Sequence, residues 1–96
     1  MRAYPVAAVL IFMSSAANGG ESGLASYYDG VGGGKTCAHR SLPFGAMVTV
    51  NYAGKSVQCR VNDRGPFMAG RIIDVSIEVA RILGMIGAGI VRVTLD

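Results

Sequence analysis

Tryptophan is absent from the 96 residues, histidine occurs once and cysteine twice. So few ligands exclude the four-ligand zinc sites of the all-Cys or Cys2His2 kind. Charge is sparse as well. Nine Lys and Arg stand against six Asp and Glu, a net charge of +3, and the basic residues are scattered singly from Lys35 to Arg92. That pattern is no electrostatic footprint for a nucleic acid, so no nucleic-acid partner is expected. Prolines number three, while glycine reaches 14, about twice ordinary usage. A chain that turns so often favours short strands over a helical bundle. Hydrophobic residues make up 51%, which excludes disorder along most of the length. The length allows one small domain, and residues 22–96 show neither an internal repeat nor a linker.

A long hydrophobic run is also missing. Pro5 to Met13 (PVAAVLIFM) is apolar but too short to span about 30 Å of hydrocarbon. Arg2 precedes it, and Ser15-Ala16-Ala17 follows with small residues before Asn18. This is the pattern of a cleaved export signal over residues 1–17, leaving 18–96 as the mature chain. The expected location is the periplasm or cell envelope. No Cys stands directly after the apolar run, so no lipid anchor on this chain is expected, and a monomer is the default.

Export changes the meaning of the two cysteines. In an oxidising compartment Cys37 and Cys59 are expected to pair. A disulfide closing a loop of about 20 residues stabilises a small domain by on the order of 3 kcal/mol. Two reduced buried thiols, or a metal held by Cys37, His39, Cys59 and Asp63, are the alternatives. The reading taken is a disulfide, no metal and no cofactor.

Periodicity gives about five strands and one helix. Gly23–Tyr28, Ala46–Tyr52, Ser56–Val61, Gly70–Val75 and Gly89–Leu95 alternate in the strand manner. Ala53-Gly54-Lys55 reads as a hairpin turn and Asn62–Pro66 as a sharp break. Ser76 is a good N-cap, Glu78 lies in the first turn, Val79, Ala80 and Leu83 form an apolar stripe, and Gly84 stops the helix. The fold class is all-β with a small α component, a closed barrel with one short helix across an opening. Phe44 and Phe67 are expected inside it. Tyr27 and Tyr28 point to opposite faces, so at most one of them faces a groove.

Three segments invite chemistry. Asp29–Thr36 (DGVGGGKT) imitates a phosphate-binding loop through Gly34, Lys35 and Thr36. Asp29 stands where the motif needs glycine, and Pro43 forbids the helix that should follow. No nucleotide partner is expected. Asn62-Asp63-Arg64-Gly65-Pro66 sets a carboxylate on a rigid turn at the barrel surface, either a mere Asx-type turn or a functional group. Cys37-Ala38-His39-Arg40 carries the lone histidine. If Cys37 and Cys59 are bonded, the chain at His39 and at Asp63 is drawn together.

Three ordered blocks then carry a resemblance. They are Thr36-Cys37-Ala38-His39-Arg40-Ser41-Leu42-Pro43-Phe44-Gly45, Cys59-Arg60-Val61-Asn62-Asp63-Arg64-Gly65-Pro66-Phe67 and Gly70-Arg71-Ile72-Ile73-Asp74-Val75-Ser76. Their spacing resembles the rare-lipoprotein-A (RlpA) family, and the likeness extends from Gly23-Leu24-Ala25-Ser26-Tyr27-Tyr28 to Val93-Thr94-Leu95. It implies a six-stranded double-psi β-barrel, a fold shared with expansins and barwin-like proteins. It also implies a septal-ring type of endolytic lytic transglycosylase. Such enzymes cleave the bond between N-acetylmuramic acid and N-acetylglucosamine in glycan strands stripped of peptide, leaving 1,6-anhydro ends and remodelling the cell wall. By the resemblance, Asp63 is the acid and base, with His39 beside it orienting it or the sugar. Asn62, Arg64, Arg40 and Tyr28 contact substrate, and Asp74 braces its strand against Arg71 or Arg64. The partner implied is the peptidoglycan glycan strand.

One departure from the family pattern bears on catalysis. Between the Tyr-Tyr strand and the Ala-His block the family carries a longer loop with a glutamate thought to take part in the reaction. Here the loop is Asp29–Thr36 and has no glutamate; only Glu21 and Glu78 exist elsewhere. Losing acid–base assistance costs about 10²–10⁴-fold in rate. A second function therefore stands beside the first, a non-catalytic, expansin-like barrel that binds polysaccharide without cutting it.

Overall fold

The computed structural model describes residues 20–96; the segment read as an export signal lies outside them. Six strands and one helix follow in the order β1 (Glu21–Tyr28), β2 (Thr36–Ala38), β3 (Met47–Tyr52), β4 (Lys55–Asp63), β5 (Arg71–Ser76), α1 (Ile77–Leu83) and β6 (Val91–Leu95). The strands close into a barrel in the spatial order β1-β5-β2-β4-β3-β6. Two pairs, β1 with β5 and β2 with β4, run parallel, and the other contacts are antiparallel. The six-stranded closed barrel with one short helix is the architecture that the resemblance implied.

Alternation explains the strands that periodicity found. In β4, Val57, Cys59 and Val61 are buried, while Gln58 and Arg60 between them are exposed. In β6, Val91, Val93 and Leu95 point inward and Arg92 and Thr94 outward. The β3–β4 hairpin turns tightly at Ala53 and Gly54, both at positive φ, with Tyr52 opposite Lys55. Strand β2 escaped the pattern because three residues, all buried, have no period to read.

The helix follows its sequence signals. Ser76 Oγ accepts from the backbone N–H of Val79, Gly84 takes the left-handed conformation, and its N–H donates to the carbonyls of Ala80 and Arg81. Val79, Ala80 and Leu83 are buried against the barrel. The helix therefore packs its apolar stripe on the barrel, chiefly against β4 and β5.

The core holds β-branched and small residues, with Ile73, Val50, Val61, Val75, Val93 and the Cys37–Cys59 disulfide at its centre. The half-cystines lie on neighbouring parallel strands with Cα atoms 5.8 Å apart. Phe44 and Phe67 depart from expectation, being 61% and 74% exposed. An eight-stranded barrel is only just wide enough to be filled by side chains, so six strands leave room for aliphatic groups and not for two phenyl rings. Both phenylalanines lie in loops and stay there.

Candidate active site

Strand register assembles the site. Ser26 of β1 lies opposite Asp74 of β5, Asp74 opposite Ala38 of β2, and Ala38 opposite Asp63 of β4. A single row across four strands thus carries two carboxylates and a hydroxyl from three distant segments. Each of Ser26, Asp74 and Asp63 is half-buried, whereas Ala38 is buried. Tyr28, two residues beyond Ser26 on the same strand, donates its hydroxyl to Asp63 Oδ2 at 3.2 Å. The backbone N–H of Arg64 donates to Asp63 Oδ1 at 2.8 Å. Both oxygens of the carboxylate are therefore held, one by each donor.

Tyr28 reports this environment. Burial, then the charge of Asp63 and the hydrogen bond to it, and finally the charge of Asp74 push its hydroxyl pKa up from 10.0 to about 12. Ionising the phenol would place a third negative charge beside two carboxylates. Tyr28 consequently remains a donor throughout the neutral range.

Asp74 braces its strand differently from expectation. Its Oδ1 accepts a hydrogen bond from Ser26 Oγ, and Ser26 Oγ in turn accepts from Arg71 Nη1 at 3.2 Å. Serine stands between the two charged groups, and Arg64 is committed elsewhere. No sequence pattern singles out Ser26, since its role follows from the parallel pairing of β1 and β5.

His39 also departs from expectation. Its backbone N–H donates to the backbone carbonyl of Asp63 at 3.1 Å, but the buried ring makes its hydrogen bonds to groups other than the Asp63 carboxylate. Nδ1 accepts from the backbone N–H groups of Ser41 and Leu42, both at 3.1 Å. Two donors at Nδ1 assign the proton of the neutral ring to Nε2, which lies 3.0 Å from Glu21 Oε1. A cavity of about 190 Å³ adjoins this pair, lined also by Leu42, Met47 and Leu95. Nothing in the sequence assigns Glu21 this pairing, because it lies 18 residues from its partner.

The turn that His39 closes is satisfied on its other side by Arg64. Nη1 of Arg64 donates to the carbonyls of His39 at 3.1 Å and Leu42 at 2.8 Å. The guanidinium lies 4.3 Å from the centroid of the Phe44 ring. Arg64 thus ties the Asp63 turn to the segment 39–44, and Arg40 is exposed on that segment.

Asn62 braces a loop. Its Nδ2 donates to the carbonyl of Val31 at 2.8 Å. The backbone N–H of Gly34 donates to Glu78 Oε2 at 3.3 Å. Gly30, Gly32, Gly33 and Gly34 all have positive φ, which explains why this connection is built of glycine. Lys35 leads into β2, a strand, where a phosphate-binding loop would open a helix. The loop has no glutamate of its own, and the carboxylate that reaches it comes from Glu78 of α1. Among the described residues no group of three His, Cys, Asp or Glu side chains is placed to hold a metal ion.

Comparison with known proteins bears directly on this arrangement. A family described as lytic transglycolase matches residues 21–95, the whole barrel. The chain belongs to this family of RlpA-like double-psi β-barrels. It is 56% identical over 63 residues to a "Probable endolytic peptidoglycan transglycosylase RlpA" of Nostoc sp., which covers 64% of this chain and 17% of the relative. A protein of the same name from Synechocystis sp. is 51% identical over 63 residues, 64% of this chain and 20% of that protein. An "Endolytic peptidoglycan transglycosylase RlpA" of Pasteurella multocida is 44% identical over 63 residues, 64% of this chain and 21% of the relative. The match thus spans about a fifth of each of these relatives' length. The half-buried carboxylate of Asp63, on the row with Ser26 and Asp74, is the candidate functional group of this site.

Proposed function

We propose that this chain is an endolytic lytic transglycosylase that acts on peptidoglycan glycan strands in the cell envelope, reached by export through residues 1–17. The observation that carries this reading is Asp63, a half-exposed carboxylate with one oxygen held by Tyr28 and the other by the Arg64 N–H. Relatives named endolytic peptidoglycan transglycosylases support the substrate class.

In the proposed reaction the carboxylic acid of Asp63 gives its proton to the glycosidic oxygen as the bond to C1 breaks. The C6 hydroxyl of the same muramic acid closes onto C1 and returns its proton to Asp63. No water is consumed, and one group serves both steps. Tyr28 fixes the orientation of Asp63 and Arg64 fixes the turn that carries it. His39 is a positioning residue, since it holds the 39–42 turn whose carbonyls anchor Arg64.

A non-catalytic, glycan-binding barrel is the second reading, favoured by the glutamate-free loop Asp29–Thr36. Product analysis separates the two. Peptide-free glycan strands incubated with the exported protein should acquire 1,6-anhydro ends, and Asp63→Asn should lower their formation by about 10²–10⁴-fold. Reducing ends would make the protein a hydrolase. Strands that bind but gain no ends would establish the binding barrel.

A further inference from the structure

Three of the large apolar side chains outside the core, Phe44, Phe67 and Met68, lie in the two loops that Arg64, the chain neighbour of Asp63, ties together. Phe67 is 74% exposed, Phe44 61% and Met68 61%. Exposed apolar residues scattered singly need no explanation, but grouped ones mark a contact surface. These rings are also held in place. Phe44 lies against the Arg64 guanidinium, which is pinned by two carbonyls, while the Arg64 N–H holds Asp63. Phe67 follows Gly65 and Pro66, both buried, and its ring comes within 3.5 Å of where a Gly65 Cβ would lie. The frame that orients the carboxylate therefore orients both rings.

We propose that Phe44 and Phe67 form a stacking platform for the pyranose rings of a glycan strand passing Asp63, with the exposed cations Arg40 and Arg64 facing carboxylate-bearing sugars. This deepens the proposed function and rests on it. A pyranose presents a flat C–H face bounded by hydroxyls. The protein offers the complement, flat rings bounded by a guanidinium, a carboxylate and a phenol. A second copy of this chain fits less well, because a two-fold contact through this face would bring Arg64 and Arg40 towards their own counterparts.

Binding of peptide-free glycan strands to the exported, disulfide-bonded protein tests the platform. Phe44→Ala and Phe67→Ala should each weaken binding by about tenfold. Phe→Trp at the same positions should restore it, and Phe→Leu should not. Ile82→Ala, an exposed apolar change on α1, should leave binding unaltered. If wild type binds and both alanine variants bind equally well, or if leucine restores binding as well as tryptophan, the platform is overturned while the glycan reading stands. A wild type that binds no strands overturns both. Self-association abolished by Phe67→Ala, with strand binding unchanged, would make the patch a dimer face and sink the proposal.

Discussion

Tyr28 and Asp63 form the contact on which the site turns. A hydroxyl whose folded pKa is raised to about 12 from 10.0 stabilises the fold while it is protonated. That contribution is complete below about pH 10 and is lost as pH rises through about 12. The difference in ultraviolet titration between wild type and Tyr28→Phe should accordingly be centred near pH 12, and a step near 10 would show that the phenol is neither buried nor held by Asp63. The variant should also lower kcat by about 10- to 150-fold, because a hydrogen bond to a charged group contributes roughly 1.5–3 kcal/mol. An unchanged kcat would relegate Tyr28 to packing.

Elements impose constraints that no single residue reveals. Ser76 ends β5, caps α1 through Val79, and accepts from the backbone N–H of Thr36 at the start of β2. One hydroxyl therefore joins three elements. Ser76→Ala should destabilise the fold by about 1–2 kcal/mol, a fall in Tm of roughly 4–16 °C for a domain of this size. A loss below about 0.5 kcal/mol would mean that water replaces the cap. Gly23 shows a different constraint, since a Cβ there would lie 2.6 Å from Ile72 Cγ2 and 3.1 Å from the Gly70 carbonyl oxygen. Gly23→Ala should cost about 1–3 kcal/mol as β1 is pushed off β5, measurable by denaturant unfolding.

The whole barrel depends on a covalent tie between β2 and β4. Strand β2 has only three residues, and the Cys37–Cys59 bridge fixes it to the strand that ends in Asp63. Replacing both cysteines by alanine should cost about 2–5 kcal/mol. A stability unchanged by reduction would show that the aliphatic core alone holds β2. The same tie links stability to function, because β2 leads into His39 and the turn that anchors Arg64.

Local chemistry determined much of this in advance. Alternation located five strands, and Ser76 and Gly84 bounded the helix, because each depends on neighbours in the chain; the Cys37–Cys59 pair, expected from the reading of an export signal, is present in the structure. The ordered blocks around His39, Asp63 and Asp74 named the family and its candidate acid. Tertiary structure alone decided the partners. Asp74 reaches Ser26 across 48 residues through the parallel pairing of β1 with β5, and His39 reaches Glu21 across 18; neither contact leaves a period in the sequence. It also turned Phe44 and Phe67 outward, since a residue's hydrophobicity does not state the width of the barrel it would have to enter.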